Sequence, residues 1–322
     1  MTFHRDILKI DAAAVTEELT ARLRRDVHQT LRRAGAVVGI SGGIDSSVVL
    51  ALCARALGPE RVVGIMMPER DSSPDSLVLG RKLADRFGVE SIVEDLTHAL
   101  EGFGCYRRRD EAIQRVFPEY TPAHKAKITL PGNVLDSDAL NVFYLTVISP
   151  DGAETSKRLS PRDYLQIVAA SNFKQRSRMS MLYHHAELRN YAVAGTPNKN
   201  EHDQGFFVKW GDGGYDVGPI LHLYKTQVYQ LAEYLDVPEE IREAMPTTDT
   251  YSAPCSQEEF FFRLPFETMD LLWYALESNV PVAETARVMG LSEEQVRRAF
   301  SDLTGKERTT RYVRTLPIHY SR

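Results

Sequence analysis

One short stretch of the sequence carries residue types that could bind a phosphate chain. Residues 37–47 read V-V-G-I-S-G-G-I-D-S-S and precede the apolar segment 48–57. This order predicts a strand, a tight turn and a helix. Glycines let a ligand approach the main chain, and the N–H groups and dipole of a helix N-terminus attract an oxyanion. The serines add hydroxyl donors, and Asp45 could hold a divalent cation that neutralises the phosphates.

The type of loop indicates which reaction the phosphates undergo. It differs from the G-x-x-x-x-G-K-[ST] loop, because it has no lysine and a shorter spacing. It resembles instead the S-G-G-x-D-S loop of the ATP pyrophosphatases. That resemblance implies that the loop holds the β- and γ-phosphates of ATP while the α-phosphorus is attacked, which gives AMP and pyrophosphate. A Gly-Ser turn between a buried strand and a buried helix is the structural alternative.

Composition limits the class of protein. The chain has 322 residues, of which 43% are hydrophobic, a net charge of −5 and a pI near 6.0. These values give no general attraction to nucleic acid or to a membrane surface. The cysteines Cys53, Cys105 and Cys255 are scattered and lack metal-binding spacing, as is typical of a reducing compartment. No signal peptide and no long apolar span are evident, so we expect a cytoplasmic protein with no membrane or nucleic-acid partner.

Strand and helix patterns alternate around the glycine–serine turn within residues 37–47, which we call the phosphate loop. Apolar runs at 62–67, 89–93 and 191–194 predict further strands, and 76–87 has the apolar spacing of a helix. Alternating strands and helices predict a parallel α/β sheet with right-handed crossovers. Ligands of such sheets bind at the carboxyl ends of the strands, where the phosphate loop lies.

The regular alternation breaks between about residues 102 and 161. The stretch is rich in charge, proline and glycine, although 141–148 alternates like a strand before an apparent turn at 149–152. A loop of this length inside a domain indicates an insertion or a functional segment. We therefore predict a partly ordered insertion that contains a hairpin.

Helical patterns occupy the two ends of the chain and the region after the insertion. The N-terminal segment 7–33 has the spacing of an amphipathic helix, one helix is predicted from Arg162, and a second over 181–189. Short helices are predicted in the C-terminal region, about 258–322. Without repeats or low-complexity linkers, the whole chain, 1–322, is predicted to be a single domain.

A second group of polar residues follows the fourth predicted strand. Residues 195–201 read G-T-P-N-K-N-E, and this position should place them beside the phosphate loop. Glu201 could then complete a Mg²⁺ site with Asp45, and Thr196 could contact the nucleotide. Further along, Lys225 stands at the start of a predicted helix, where it could clamp a phosphate.

A third stretch, residues 205–216, combines glycines with aspartates, a lysine and aromatic residues. This composition suits the wall of a site for a flat, partly charged ligand. A glycine-rich surface turn is the structural alternative.

Taken together, five motifs resemble those of the NAD synthase family in order and spacing. They are S-G-G-I-D-S, N-x-x-Q-R-x-R-M, G-T-x-x-x-x-E, K-W-G-D-G-G-x-D and P-x-x-x-L-x-K, and the match covers 37–100 and 172–249. The resemblance implies a homodimer with a Rossmann-like, doubly wound parallel sheet that has helices on both faces. It implies that deamido-NAD is adenylated by Mg-ATP and that ammonia then displaces AMP.

The same resemblance implies roles for individual residues. For ATP they are Gly39, Ile40, Ser41, Gly42, Gly43, Ile44, Asp45, Ser46, Thr196, Lys225 and Thr247; for deamido-NAD they are Arg176, Lys209 and Asp216; for Mg²⁺ they are Asp45 and Glu201. Catalytic roles fall to Asp45, Lys225, Asp212 and Asp216. A carboxylate near the entry of the amine could receive a proton as ammonia attacks, and the candidates are Asp212 and Asp216.

One departure from the family pattern leaves the substrate open. Tyr312 and Val313 stand where the family usually has a His-Lys pair, and Lys306 or Arg311 would have to replace that contact. The alternative function is therefore a related adenylating amide ligase that acts on a different carboxylate.

A catalytically silent nucleotide-binding protein is a third possibility. The presence of Asp45, Glu201 and Lys225 together argues against it, because such a protein has no need for metal and phosphate ligands. The residues before Val37 include no cysteine that could serve a glutamine amidase. We therefore expect the chain to use free ammonia or ammonia from a separate glutaminase.

Overall fold

The computed structural model describes residues 2–130, 132–136, 142–247 and 250–320. The strands are β1 (Ala36–Gly39), β2 (Val62–Met66), β3 (Glu90–Val93), β4 (Lys125–Thr129), β5 (Tyr144–Ile148), β6 (Glu154–Arg158) and β7 (Ala192–Ala194). The helices are α1 (Ala12–Arg25), α2 (Ile44–Leu57), α3 (Pro74–Phe87), α4 (Thr97–Gly102), α5 (Cys105–Val116), α6 (Pro161–Arg189), α7 (Lys199–Gln204), α8 (Lys225–Tyr234), α9 (Glu239–Glu243), α10 (Phe266–Glu277), α11 (Val282–Met289), α12 (Glu293–Thr309) and α13 (Arg311–Arg314).

The central sheet is parallel and has the strand order β3-β2-β1-β7. Strands β1, β2 and β7 are short apolar runs because both of their faces are covered by helices, whereas the edge strand β3 is mostly exposed. On one face, Val38 packs in a cluster with residues of α1, α2, α3 and α8. On the other, Val37 packs with Ala186 of α6. The predicted α/β fold, a doubly wound parallel sheet with helices on both faces, is confirmed.

Strand order creates a crevice at one edge of this sheet. The chain runs from β1 to β2 and β3 on one side and later returns as β7 on the other side of β1. The carboxyl ends of β1 and β7 are therefore adjacent at the point where the strand order changes direction, and ligands of open α/β sheets bind at this point. The phosphate loop follows β1, and Gly195 follows β7.

Helix α6 differs from its prediction. It is one continuous helix of 29 residues, from the N-cap Ser160 to Asn190, whose left-handed conformation (φ +57°) ends it. The prediction of two helices, with the second over 181–189, is wrong. The middle of α6 is polar because it faces a cavity and a buried ionic network, so its apolar periodicity is interrupted there.

The insertion is more regular than predicted. The hairpin is confirmed as β5 and β6, joined by a turn in which the N–H of Ala153 lies within 3.5 Å of the carboxylate of Asp151. Strand β4 adds a third antiparallel strand, and α5 packs along α6. Asn141, the first residue of the predicted strand, lies outside the described residues.

The N-terminal helix is shorter than the predicted 7–33. Helix α1 begins after Asp11, whose carboxylate accepts a hydrogen bond from the N–H of Ala14 (3.0 Å), and ends in a π-helical turn over Asp26–Thr30.

The predicted short C-terminal helices are present as α10 to α13, and α10 and α12 share an apolar cluster around Phe262 and Trp273. Over the ranges given above, no helix has both the length and the apolarity that crossing a bilayer requires.

Candidate active site

A cavity of about 730 Å³ lies at the carboxyl ends of β1 and β7. Segments that contribute to its walls include the phosphate loop, the loop between β2 and α3, the middle of α6, the stretch after β7, and the stretch around Thr247 and Gln257. Phe143 of the insertion and the C-terminal residues Thr310 and Val313 add to the lining. Its position is the one expected for the ligand of a doubly wound sheet.

The phosphate loop, residues 40–43, is held in shape by the hydroxyls of Ser41 and of Ser46 in α2. Gly42 has a φ of +79°, and a Cβ atom there would lie 3.1 Å from the carbonyl oxygen of Ser76 in α3, so glycine fits this position best. The hydroxyl of Ser46 donates to the carbonyl of Gly43 (2.9 Å) and lies 3.2 Å from that of Ser41. These contacts orient the loop so that the first turn of α2, whose N–H groups have no partner within the helix, faces the cavity.

Two carboxylates and one ammonium group lie next to this loop, at the wall of the cavity. Asp45, in the first turn of α2, accepts a hydrogen bond from the ammonium of Lys225 and another from the side-chain amide of Asn198 (3.0 Å). Glu201 lies in the first turn of α7, where its Oε2 accepts from the N–H of Asn198 (3.2 Å) in a capping box. Its Oε1 accepts from the amide of Gln257 (3.2 Å).

The charges of this group are strongly coupled. Burial raises the pKa of Glu201 to about 8, and the negative charge of Asp45 adds to the shift, although Lys225 opposes it. Burial alone would lower the pKa of Lys225, but the carboxylates of Asp45 and Glu201 outweigh it and raise the pKa. The site therefore keeps a lysine positively charged although its side chain is only 1% exposed.

Helix α10 positions Lys225 at the start of α8. The carboxylate of Asp270, a fully buried residue of α10, accepts from the N–H of Thr226 (2.8 Å) and from the side-chain amide of Asn200. This contact caps α8 and joins it to α7. Lys225 and Glu201 therefore approach Asp45 from two helices that share one anchor.

Of the two candidate proton acceptors, the structure places only Asp212 at the cavity. One carboxylate oxygen of Asp212 accepts from the N–H of Val208 (2.7 Å). Asp212 is exposed on the cavity wall, and the loss of part of its hydration there raises its pKa to about 6. Asp216 instead accepts from the N–H of Val193 in β7 (2.8 Å) and from the hydroxyl of Tyr183 (3.0 Å). It lies outside the set of described residues that line the cavity.

Arg176 and Lys209 lie together, but away from the cavity lining. Arg176 donates from Nε to the carbonyl of Lys209 (3.3 Å). The ammonium of Lys209 donates to the carbonyls of Tyr312 (3.2 Å) and Thr315 (2.5 Å) and lies 4.4 Å from the centre of the Tyr312 ring. We call this group, Arg176, Lys209 and Tyr312, the lysine–tyrosine surface.

The two basic residues considered as replacements for the His-Lys pair occupy different surroundings. Lys306 is buried, pairs with Asp302 (2.6 Å) and donates to the carbonyl of Phe262 (3.2 Å). Its position in the C-terminal core rules it out as a substrate contact. Arg311 is exposed at the surface, beside Arg308 and Arg314.

The structure places the remaining predicted residues at the cavity, and their roles stay predictions. The following described residues line the cavity: Gly39, Ile40, Ser41, Gly42, Gly43, Ile44, Asp45, Ser46, Thr196, Glu201, Asp212, Lys225 and Thr247. Sequence analysis missed Asn198 and Gln257, which hold the carboxylates. Asn198 had a usable signal, because asparagine three residues before glutamate is a capping-box pattern. Gln257 had none, because it reaches Glu201 from 56 residues away.

Fold and site together define a class. A doubly wound parallel sheet with a glycine–serine loop at its switch point, backed by two carboxylates and a buried lysine, is an α/β protein of the nucleotide-binding type. The family model of NAD synthase matches residues 15–117 and 139–317. The chain belongs to the NAD synthase family.

Individual relatives agree with this assignment. The chain is 53% identical over 312 residues to the NH(3)-dependent NAD(+) synthetase of Mesorhizobium japonicum, covering 97% of this chain and 98% of that protein. It is 49% identical over 317 residues to the protein of the same name from Rhizobium meliloti, covering 98% and 94%. The solved NH3-dependent NAD synthetase from Campylobacter jejuni shares the fold with a TM-score of 0.62 at 23% identity, covering 97% of this chain and 100% of that one.

The family match extends beyond the motifs found in the sequence. It includes the C-terminal helices up to residue 317 and leaves 118–138, within the insertion, unmatched. Strand β4 therefore belongs to the part of the chain that the family model does not describe.

Proposed function

We propose that the chain forms NAD from deamido-NAD and ammonia, and that it uses ATP and releases AMP and pyrophosphate. The observation that carries the proposal is the convergence of the phosphate loop, Asp45, Lys225, Glu201 and Asp212 on one cavity. Membership of the NAD synthase family and the names of the similar relatives support the same reaction.

In the first step, a carboxylate oxygen of the nicotinate group attacks the α-phosphorus of ATP, and pyrophosphate leaves. The N–H groups at the start of α2 would bind the phosphates. Lys225 would carry positive charge towards the leaving pyrophosphate, since Asp45 and Glu201 keep it protonated. The predicted ATP contacts Thr196 and Thr247 lie on the same cavity wall as these groups.

The carboxylates of Asp45 and Glu201 fit a Mg²⁺ ion. Magnesium is usually bound by one or two carboxylates together with substrate phosphates and waters, and the described residues hold no larger cluster of metal-binding side chains. Burial, to which the negative charge of Asp45 adds, raises the pKa of Glu201, and a bound cation would favour its ionised form. When bound, the ion would neutralise the phosphates of ATP.

In the second step, ammonia attacks the acyl carbon of the adenylated nicotinate, and AMP leaves as the new C–N bond forms. The attacking nitrogen must lose a proton. Asp212 is the acceptor that we propose, because it faces the cavity and its pKa of about 6 leaves it ionised at neutral pH.

The contacts to deamido-NAD are proposed to come from Arg176, Lys209 and Asp216. Both basic residues lie on the lysine–tyrosine surface.

We also propose a homodimer. Its support is the resemblance of the sequence motifs to those of the NAD synthase family, which implies a homodimer. Light scattering of the purified protein tests the dimer, and a monomer at micromolar concentration would contradict it.

The amine source that we propose is free ammonia or ammonia from a separate glutaminase. Support comes from the relatives named NH(3)-dependent, which the chain matches over 98% and 94% of their lengths. We propose a cytoplasmic location because the three cysteines are unpaired thiols.

The test is a product assay with a panel of acids. Purified protein is incubated with Mg-ATP, ammonium and either deamido-NAD or other carboxylates, and nucleotides are separated by chromatography. AMP and NAD in equal amounts are expected. Stoichiometric ADP would contradict adenylation, and amidation of another acid in preference to deamido-NAD would favour the alternative ligase.

A further inference from the structure

A buried ionic network lies behind the wall of the cavity, centred on Lys174 of α6. The side chain of Lys174 is 1% exposed. Its ammonium donates to Glu69 Oε1 (2.9 Å), to Asp71 Oδ2 (2.8 Å) and to the carbonyl oxygen of Thr250 (2.9 Å). These three contacts use the three donors that a lysine has.

Helix α5 of the insertion completes the network. The hydroxyl of Tyr106 donates to Glu69 Oε2 (2.8 Å), and the guanidinium of Arg109 donates to Asp71. Burial alone would raise the pKa of Asp71, but Lys174 and Arg109 hold it at about 2. Each buried charge therefore has an opposite charge beside it, which a group removed from water requires.

The partners of Lys174 belong to two separate walls of the cavity. Glu69 and Asp71 lie in the loop between β2 and α3, and Ser72 and Ser73 of the same loop line the cavity. This loop leads into α3, against which the phosphate loop packs at Gly42. Thr250 belongs to the other wall, which also contributes Thr247, Tyr251 and Gln257 to the lining.

The insertion supports the second wall from outside. The N–H of Ala126 in β4 donates to the hydroxyl of Ser252 (2.9 Å), and its carbonyl accepts from the N–H of Ala253 (3.2 Å). Tyr251 and Cys255 pack into the apolar cluster of the insertion. This wall also ends at Gln257, which holds Glu201.

Packing alone does not require a charged group at this position. A buried ion pair can often be replaced by apolar residues without loss of stability. What an apolar residue cannot do is hold a carbonyl and two carboxylates from different segments at one point. We propose that Lys174 is a positioning residue for the nucleotide: it joins the two walls, and the insertion anchors it through Tyr106 and Arg109. The inference rests on the proposed function in so far as the nucleotide is ATP.

The test compares Lys174→Met with a matched control. The control is Arg115→Gln, because Arg115 also joins α5 to α6, through Asp163 (2.8 Å) and Gln166 (2.7 Å), but is 34% exposed and lies away from the cavity. ATP affinity is measured by calorimetry without the second substrate, and KM for ATP and kcat are measured with it. Melting temperatures show how much each variant is destabilised.

Lys174→Met is expected to weaken ATP binding and raise KM for ATP about tenfold, the equivalent of one or two lost hydrogen bonds, with a smaller change in kcat. Hydrogen exchange should become faster in Glu69–Ser73 and Thr250–Gln257. Arg115→Gln should match the parent protein in both measurements. A lower melting temperature with unchanged ATP affinity and unchanged exchange in these segments would overturn the proposal, because the role would then be stability alone.

A second variant decides the question if Lys174→Met does not fold. Tyr106→Phe keeps the ring and removes the hydrogen bond to Glu69, together with a longer one from the N–H of Arg70 (3.4 Å), so about a threefold loss of ATP affinity is expected. An affinity equal to that of the parent would overturn the proposal. Because affinity is measured without turnover, a chain that binds ATP but makes no NAD would contradict the proposed function and still test this inference.

Discussion

Two regions of the molecule are built in different ways. One is the phosphate end of the candidate site, by which we mean the phosphate loop with Asp45, Glu201 and Lys225; the other is the lysine–tyrosine surface. At the phosphate end, Asp45, Glu201 and Lys225 come from three helices and meet at the cavity, where Lys225 is buried and the two carboxylates are partly exposed. On the lysine–tyrosine surface, Arg176 and Lys209 contact main-chain carbonyls and lie away from the cavity lining. The first group consists of charged side chains that contact one another at the cavity, whereas the second contacts main-chain carbonyls outside the cavity lining.

The difference follows from what supports each region. The carboxyl ends of β1 and β7 are adjacent in the sheet, so the residues that follow them must meet. The lysine–tyrosine surface joins the middle of α6 to α13, a four-residue helix near the end of the described chain. The order of the strands therefore determines where the residues of the phosphate end lie, whereas long-range packing of helices determines the positions of Arg176 and Lys209.

The strongest test of the phosphate end is Asp45→Asn. The substitution keeps the shape of the side chain and removes one charge from the proposed metal and phosphate site, so turnover should fall about a thousandfold. Glu201 still lies near Lys225, and we expect circular dichroism to show a folded protein. Rates are measured over a range of Mg²⁺ concentrations.

The control for this variant is Asp85→Asn, which changes an exposed aspartate of α3. It should leave the rate unaffected. Wild-type turnover of Asp45→Asn at limiting Mg²⁺ would show that Asp45 has no metal role.

The next largest effect is expected at Asp212. Its pKa is raised to about 6, so the carboxylate that accepts a proton forms as the pH rises through this value, and the rate with ammonia should increase there. Asp212→Asn should lower kcat about a hundredfold and remove this limb of the pH profile. A second rise at alkaline pH should remain, because only neutral ammonia has the lone pair for attack.

Asp216→Ala separates the two candidates for this role. Asp216 holds the N–H of Val193 and the hydroxyl of Tyr183, so its loss should cost about 1–3 kcal/mol of stability with little change in kcat. A variant that loses turnover and keeps its melting temperature would mean that Asp216, and not Asp212, accepts the proton.

Local sequence was sufficient where neighbours in the chain determine the structure. The strand–loop–helix unit around Gly42, its Asp45 and the parallel order of the strands follow from short patterns, and the structure confirms them. Residues that follow different strands, such as Thr196 and Glu201, could be placed because strand ends meet at one edge of the sheet.

Two regions could not be predicted because their pattern depends on distant partners. Lys174 interrupts the apolar spacing of α6, and its acceptors lie up to 105 residues away. Strand β6 is fully exposed and has no apolar alternation, so the hairpin was predicted from β5 and the turn after it, and the bounds of β6 could not be predicted from its own residues. The positions of Arg176 and Lys209 relative to the cavity depend in the same way on helices that are far apart in the chain.

A smaller effect is expected at the lysine–tyrosine surface. If Lys209 contacts deamido-NAD, Lys209→Met should raise KM for deamido-NAD about tenfold and leave KM for ATP unchanged, because the charge lies away from the phosphate loop. Tyr312→Phe, which keeps the ring beside Lys209, is the matched control and should behave like the parent. Equal KM values for deamido-NAD in the parent and in Lys209→Met would limit Lys209 to fastening the C-terminal segment.

The smallest effect is expected at the cysteines, which test the amine source. Cys53, Cys105 and Cys255 are buried, and burial raises the pKa of their thiols to about 12, 11 and 12. A thiol with such a pKa is not ionised at neutral pH and is a poor nucleophile, so it cannot begin the hydrolysis of glutamine.

Each single Cys→Ala variant should use ammonium within about twofold of the parent rate, since alanine adds no polar group to the core. Rates are compared at saturating ammonium and saturating glutamine, with melting temperatures as the control for packing. The parent should respond poorly to glutamine; glutamine use by the parent that disappears in one of the variants would identify that cysteine as an amidase nucleophile and contradict the use of free ammonia.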